Sequence, residues 1–281
     1  MQSELTVYNG GIQKTTTTYS YNSNGQLIKS ITSSSSPGVT SANSMTYTYS
    51  YDAAGNVITA LTEGVIAKTN VKSIGSYEYS GGRLTKIVSE SSSNIFPSTT
   101  DSYSYDGSGQ IATYSTTSSD PKYGTERYTF TNGLLTGGTI TRGGQSLTVT
   151  AENGRITSIA NPDGSKNRYT YDANGYNTRY EYFDKAGTLQ SYTTNEYSTT
   201  GYKQARTPYQ VIPAINLYGN TELPLARVAS YNANGSLKNE TLYQYQVNGK
   251  GYITGLSYVQ NQTGVSGQST STTTYTYSNC R

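Results

Sequence analysis

Aspartate is the residue type in this sequence most able to do acid-base or metal chemistry, and five aspartates precede a glycine by one to three residues. They are Asp52, Asp106, Asp163, Asp172 and Asp184. An aspartate in this position accepts hydrogen bonds from the backbone ahead of it, and the glycine supplies the positive φ of a tight turn. The short Asp/Gly loops also lack the alternating carboxylates of a calcium loop. The spacing therefore predicts turn residues and no metal site.

The remaining reactive side chains do not form a catalytic pattern. The sequence has no histidine, which excludes an imidazole base, metal ligand or triad member, and its one cysteine, Cys280, is expected to be an incidental free thiol. Glu78 and Glu181 each lie between two tyrosines, where alternation along a strand predicts a solvent-facing position. Seven further glutamates show no spacing that suggests a glycosidase pair; they are Glu63, Glu90, Glu126, Glu152, Glu196, Glu222 and Glu240. We expect a non-enzymatic protein without catalytic residues, cofactor or metal.

The stretch from Tyr47 to Leu61 is the clearest copy of a repeated strand, turn and strand. Its tyrosines recur at every second residue, Asp52 opens the turn, Gly55 closes it, and Val57 begins the returning strand. Alternating tyrosines share one face only on a pleated strand. From Gly25 to Gly175 the turn glycines lie roughly 20 to 30 residues apart, a period typical of repeat arrays. The copies close at Gly25, Gly55, Gly82, Gly109, Gly133, Gly175, Gly187 and, more loosely, Gly249 or Gly251.

The residues between the paired tyrosines indicate which face of each strand is buried. They are never apolar, as Ser50, Glu78 and Thr170 illustrate, so we expect the tyrosine face inside and the Ser/Thr face in solvent. Two residues after each turn glycine stands an aliphatic residue such as Val57, and often another apolar residue three later, such as Ala60. A spacing of three cannot keep both on one face of a regular strand. The pattern therefore predicts a β-bulge in the returning strand.

The repeated pattern Tyr-x-Tyr-Asp-x-x-Gly-x-Leu-x-x-Ile resembles the YD repeat of Rhs-type bacterial surface and toxin-shell proteins. In that family the repeats are β-hairpins laid side by side in a long curling sheet. The pattern is also similar to bacterial secreted or surface lipoprotein domains of unknown function that are described as porin-like barrels. The resemblance covers residues 15–200 well and 227–277 more loosely. It implies a hairpin array at the cell surface or in secreted material.

The composition is typical of an extracytoplasmic β protein. Charged residues make up 13% of the 281 residues, the net charge is +3, and thirty residues are tyrosine, so neither disorder nor nucleic-acid binding is indicated. A single cysteine allows no disulfide within one chain. Residues 1–7 do not resemble a signal peptide, so for an exported protein we expect the targeting segment outside this sequence. No apolar run approaches the roughly 18 residues of a membrane helix.

The predicted fold is all-β: a long antiparallel meander of roughly 18 to 20 strands, each of seven or eight residues, curled into a barrel-like body. We expect one domain over 1–281, with a hairpin array over 1–202 and closing hairpins over 227–281. Between them, residues 203–226 combine three of the seven prolines with the densest aliphatic cluster. Proline excludes a central strand and the aliphatic residues exclude a solvated loop. This segment is therefore predicted to plug or cover apolar surface of the sheet.

The connections between strands are predicted to differ between the two ends of the sheet. Short Asp/Asn-Gly turns should lie at one end and long loops at the other, where binding sites usually reside. The long connections are 33–44, 63–73, 91–98 and 117–124.

Two functions are compatible with this architecture. In the first, a structural or surface scaffold, the array itself is the function. In the second, a binding module, long loops and exposed aromatic rings engage a cell-surface glycan or a protein. Strands with Ser, Thr, Glu and Lys facing outward favour a peripheral or lipid-anchored monomer over a membrane-spanning barrel. The rings expected near the loops of a binding module are Phe96, Tyr114, Tyr123 and Tyr209.

Overall fold

The computed structural model describes residues 2–8, 11–35, 43–66, 68–92, 96–198, 217–218, 223–263 and 269–277. These residues form twenty β-strands, and none of them forms a helix long and apolar enough to cross a bilayer. The strands of the first half are β1 Gln2–Tyr8, β2 Gly11–Tyr21, β3 Leu27–Ser35, β4 Asn43–Tyr51, β5 Val57–Ile66, β6 Thr69–Ser80, β7 Arg83–Ser91, β8 Thr99–Tyr105, β9 Ile111–Ser118 and β10 Thr125–Thr131. Those of the second half are β11 Leu134–Arg142, β12 Gln145–Glu152, β13 Arg155–Ala160, β14 Lys166–Tyr171, β15 Asn177–Phe183, β16 Leu189–Tyr197, β17 Leu225–Asn232, β18 Leu237–Val247, β19 Ile253–Gln262 and β20 Ser269–Tyr277.

The strands form one antiparallel ring. Every strand pairs with the next along the chain, and β1 also pairs with β20, placing Gln2 opposite Tyr277 and Tyr8 opposite Ser271. This last pairing closes the meander, so neither terminal strand presents a free sheet edge. The predicted all-β meander, its strand number and its barrel-like curl are confirmed.

The repeated turn has the predicted geometry. In the hairpin of β4 and β5, Asp52 N–H donates to Asn56 O at 2.9 Å and Gly55 N–H donates to Asp52 O at 3.1 Å. Gly55 has φ +88°, and the pairing register shifts between Ser50 and Tyr51, which is the predicted bulge. The same two backbone bonds recur in turns that begin at Asn22, Asp52, Asp106, Asn161, Asp172, Asp184, Asn232 and Asn248.

Strand length was underestimated from the sequence in the first part of the chain. Strands β2 to β7 have 9 to 12 residues instead of seven or eight. The predicted long connection over 63–73 is wrong, because Ile66 pairs with Thr69 and leaves only two residues between β5 and β6. Val71 is buried, so the alternation of faces continues through a stretch whose polar residues suggested a loop.

The repeated turns do not all lie at one end of the sheet, contrary to our expectation. We call the end that carries turn 52–56 the upper rim and the opposite end the lower rim. Since successive strands are antiparallel, the connections alternate between rims, and the turns at 161–165, 184–188 and 232–236 fall at the lower rim. The chain therefore uses one turn type at both rims.

The core lies on the face that carries the tyrosines and aliphatic residues, which we call the tyrosine face. Its larger cluster extends over β10 to β13, and the smaller one lies on β7 and β8. The burial of these side chains confirms the predicted inner face. The larger cluster consists of Tyr128, Leu135, Ile140, Val149, Ile156 and Ile159, and the smaller one of Leu84, Ile87 and Tyr103.

Leu217 and Tyr218, from the segment before β17, pack on the tyrosine face. Leu217 O accepts a hydrogen bond from Ile156 N–H at 2.9 Å, and its side chain packs on the larger cluster. The Tyr218 ring lies 5.4 Å from that of Tyr169 on β14. Its pKa is raised, chiefly by burial and next by the charge of Glu126 on β10. Because a segment of the chain packs over the tyrosine face, we also call this side of the closed sheet the concave face. The opposite side is the outer face.

Most of the predicted plug, residues 203–226, lies outside the described residues and stays a prediction. At its end the boundary moves, because β17 begins at Leu225 instead of 227.

Candidate functional site

The aspartates act as turn residues, as their spacing predicted. The Asp52 carboxylate accepts hydrogen bonds from Asn56 N–H at 2.8 Å and from the Asn56 side-chain amide at 2.9 Å, and these bonds hold the pKa of Asp52 below its usual value. Asp106, Asp163, Asp172 and Asp184 likewise accept bonds from backbone N–H groups two residues ahead. Among the described residues, no three acidic, cysteine or histidine side chains gather as a metal-ligand set. Cys280 lies outside the described residues.

Tyrosine hydroxyls connect neighbouring hairpins at the upper rim. Adjacent hairpins stop pairing before the rim: the last pair between β5 and β6 is Thr59 with Ser76. Beyond it, the Tyr79 hydroxyl donates to Val57 O at 3.0 Å, so a side chain supplies the bond that the backbone ladder no longer makes. Four more bonds of this kind join Tyr51 to Leu27 O (2.6 Å), Tyr105 to Leu84 O (2.6 Å), Tyr171 to Ile156 O (2.6 Å) and Tyr197 to Asn177 O (2.9 Å).

We call these five contacts the tyrosine interlocks. Each one uses a tyrosine at the end of a strand on the upper rim and a carbonyl two residues after the turn glycine of the preceding upper-rim hairpin. The alternation of tyrosines predicted a buried ring at this position but not the role of its hydroxyl. The available signal was the nearly consistent choice of tyrosine instead of phenylalanine before the turn, with Phe130 as an exception.

A stack of three tyrosines lies on the concave face at β8 to β10. The Tyr114 ring lies 5.2 Å from that of Tyr103 and 6.1 Å from that of Tyr128. The Tyr114 hydroxyl donates to Asp101 at 2.9 Å, and that of Tyr128 to Glu126 at 2.8 Å. Burial raises the pKa of Tyr114 and of Tyr128 above the ordinary value. This arrangement corrects the expectation that Tyr114 is an exposed ligand-binding ring, because the returning strand turns it onto the tyrosine face.

The other aromatic residues predicted for binding lie at the lower rim. Phe96 and Tyr123 are each 48% exposed, on the connections before β8 and β10. Ser98 and Ser119 join these connections, because the backbone N–H of each donates to an oxygen of the other. The structure therefore brings two of the four predicted residues to one rim, while Tyr209 lies outside the described residues.

The outer face carries aromatic and aliphatic pairs where the repeated turn occurs at the lower rim. Phe183 lies opposite Leu189 and Tyr231 opposite Leu237, and both pairs flank lower-rim turns. The meander advances around the ring in one direction. A turn of the same handedness at the opposite rim is related to the first by a half-rotation about an axis that lies in the sheet plane, perpendicular to the strands. This rotation exchanges the two faces of the sheet. The pair before and after the turn consequently moves from the concave to the outer face.

Glu181 is the buried charge of this outer patch, and our prediction that it faces solvent is wrong. It is only 5% exposed and accepts hydrogen bonds from Arg168 Nε at 2.7 Å and from Arg179 Nε at 3.0 Å. Burial alone would raise its pKa, but the two arginines hold the pKa of Glu181 below its usual value. The side chains of neighbouring strands thus exclude water from a position that alternation alone assigns to the surface.

The arginines of the outer patch also cover its aromatic rings. The Arg179 guanidinium lies 4.0 Å from the centroid of Tyr192, and that of Arg168 lies 5.1 Å from the centroid of Phe183. Tyr192 in turn stacks on Tyr231 at 4.7 Å. Farther along, a second ion-pair group joins Arg227 to Glu240 at 2.6 Å and to Glu196 at 2.7 Å.

A polar groove of about 360 Å³ lies on the outer face over β12 to β14, beside this patch. Its lining includes Thr150, Glu152, Thr157, Ser158, Lys166 and Arg168.

No protein-family model matches this chain, and no curated protein matches it. Among solved structures, the chain is similar to a porin-like protein from Bacteroides uniformis ATCC 8492, with 16% identity, 98% of this chain and 94% of that chain covered, and a TM-score of 0.41. It is also similar to a porin-like protein from Bacteroides vulgatus ATCC 8482, with 10% identity, coverage of 99% and 98%, and a TM-score of 0.37. A third similarity, to TcdB2-TccC3-TEV, has 13% identity and a TM-score of 0.34 and covers 95% of this chain but 16% of that chain.

Proposed function

We propose that this protein is a non-enzymatic structural scaffold of the bacterial surface or of secreted material, in which the closed hairpin ring is itself the functional part. The observation that carries the proposal is the series of tyrosine interlocks. Five tyrosine hydroxyls donate their single proton to a carbonyl of a neighbouring hairpin instead of presenting it to a ligand. The location rests on the Ser/Thr/Asn/Tyr-rich composition and on the resemblance to YD-repeat proteins.

A second candidate is a module that binds a cell-surface glycan or a protein through the lower rim. Its support is the exposure of Phe96 and Tyr123, since aromatic residues anchor many interfaces. The two candidates differ in which residues the biological role depends on. A scaffold depends on the interlocks, whereas a rim-binding module depends on the exposed rings.

Complementation of a deletion strain separates the two. One variant replaces Tyr51, Tyr79, Tyr105 and Tyr171 by Phe, and the matched variant replaces Phe96 and Tyr123 by Ala. For a scaffold, we expect the first variant to lose protease resistance on intact cells and to fail to complement, and the second to behave as wild type. Full complementation by the first variant together with failure of the second would instead establish the rim-binding module. Protease accessibility of the wild-type protein on intact cells tests its location.

A further inference from the structure

The outer groove lies where short side chains on β13 border the long side chains of β14. Ser158 on β13 lies opposite Thr150 on β12 and opposite Arg168 on β14, and all three belong to the outer face. In the next row, Ala160 lies opposite Lys166. The small side chains of β13 therefore form a floor, and the two long cationic side chains of β14 form one wall.

The charged groups of the groove include two without an ion-pair partner among the described residues. Lys166 and Glu152 form no ion pair with any described residue. The Lys166 ammonium lies 5.7 Å from the centroid of Phe183, the residue opposite it on β15. Arg168 is held by Glu181, yet 55% of its side chain is exposed. The groove thus presents an ammonium and a preoriented guanidinium on one side and a free carboxylate among its lining groups.

Hydroxyl groups complete the lining. Thr150, Thr157 and Ser158 offer donors and acceptors, with Thr157 Oγ1 at 3.4 Å from Thr150 O. Hydroxyls and a carboxylate suit the hydroxyls of a sugar, while an ammonium beside a guanidinium suits a carboxylate. The volume is at the small end of ligand sites and fits one or two sugar rings.

We propose that this groove binds an acidic sugar, with the sugar carboxylate at Lys166 and Arg168 and the ring hydroxyls at Thr150, Ser158 and Glu152. The inference goes beyond the scaffold role and does not depend on the exposed rings of the lower rim. Nucleic acid is the less favoured occupant, because Arg168 and Arg179 already occupy the faces of Phe183 and Tyr192 that a base would need for stacking.

Calorimetric titration of the full chain with a trimer of galacturonic acid, and with the neutral galactose trimer, tests the site. Lys166→Gln removes the unpaired ammonium. Lys86→Gln is the matched control, because Lys86 is an exposed lysine of the outer face on β7, far from the groove. Ser158→Leu fills the groove without changing charge. Thermal unfolding of each variant verifies that it folds.

We expect the acidic trimer to bind and the neutral trimer to bind at least tenfold more weakly, because a charge-assisted pair contributes more than a neutral hydrogen bond. Lys166→Gln should weaken binding about tenfold, Ser158→Leu should abolish it, and Lys86→Gln should leave it unchanged. Absence of binding at millimolar concentration would overturn the proposal, as would equal losses in Lys166→Gln and Lys86→Gln. Stronger binding of a single-stranded oligonucleotide would assign the groove to nucleic acid instead.

Discussion

Tyr171 and Phe183 hold the same position in two successive copies of the repeated turn, yet their rings lie on opposite faces of the sheet. Tyr171 precedes the upper-rim turn and lies opposite Asn177 on the concave face, whereas Phe183 precedes the lower-rim turn and lies opposite Leu189 on the outer face. The turn geometry is unchanged, since Gly175 and Gly187 have φ values of +84° and +79°. The rim at which a turn lies therefore determines which face of the sheet carries the apolar pair that flanks the turn.

The tyrosine interlocks should contribute measurably to stability. Tyr105→Phe removes the 2.6 Å bond to Leu84 O and leaves that carbonyl without its partner, so we expect a loss of about 1 kcal/mol in the free energy of unfolding. Tyr21→Phe is the control, because Tyr21 occupies the same motif position in the first hairpin and is 47% exposed. Urea unfolding of both variants and of wild type measures the change in the free energy of unfolding. Equal effects would show that the hydroxyl of Tyr105 is not stabilising.

The fourth residue of the repeated turn should require glycine. Gly109 has φ +84°, and a Cβ there would meet the Arg83 guanidinium, so Gly109→Ala should destabilise the protein by about 1 to 2 kcal/mol. Gly107 lies in the same turn without positive φ and with open space around it, so Gly107→Ala should be neutral or slightly stabilising. Thermal unfolding compares the two. A larger loss in Gly107→Ala would contradict the assigned turn geometry.

Glu181 should make stability depend on pH in the acidic range. Its pKa is lowered in the folded protein, so its contribution is fully present above the unfolded pKa of about 4.3 and is lost as the pH falls through the folded pKa. Glu181→Gln should cost about 2 to 3 kcal/mol at pH 7, because two arginines lose their charged partner. The deficit relative to wild type should shrink below pH 4.

Glu78→Gln serves as the control for this experiment, because the Glu78–Lys86 pair is exposed to solvent. We expect it to change stability by less than about 1 kcal/mol at either pH. Denaturant unfolding of wild type and of both variants at pH 7 and at pH 3.5 gives the stability loss of each variant at each pH. A pH-independent deficit in Glu181→Gln would mean that packing, and not charge, explains its effect.

Alkaline pH should unfold the protein through its phenols. Burial raises the pKa of Tyr79 and of Tyr171 to about 12, whereas a tyrosine in the unfolded chain ionises near 10. Their contribution is fully present below pH 10 and is lost as the pH rises from 10 to 12, because the unfolded state releases these protons first. Absorbance at the phenolate band should rise in two steps, the first from solvent-exposed tyrosines and the second together with the loss of the circular dichroism signal. Ionisation of all thirty tyrosines without loss of the circular dichroism signal would contradict the buried positions.

Local chemistry made most of the fold predictable. The Asp52-to-Gly55 spacing determines the turn, and the three-residue spacing from Val57 to Ala60 determines the bulge, because both depend on residues that are close in sequence. The number of strands followed from the number of repeats. The strand ends around Ile66 and Thr69 were missed because threonine and serine are compatible with both strands and loops.

The outer patch and its groove could not be predicted by the same means. The environment of Glu181 depends on Arg168 and Arg179, and the position of Arg168 opposite Glu181 follows from a pairing register rather than from a motif. Alternation of faces describes one strand at a time. It cannot show that long side chains of neighbouring strands will close over a glutamate.

The pairing of β1 with β20 makes the order of strands cyclic. Gln2 and Tyr277 are direct neighbours across the ladder, so a short linker could join the two terminal strands without disturbing any pairing. The tight connection between β11 and β12 at Gly143 and Gly144 could then be opened to provide new ends, because both glycines lie in open space. Such a circularly permuted chain would keep all twenty ladders, and the ring has, in this sense, no first strand.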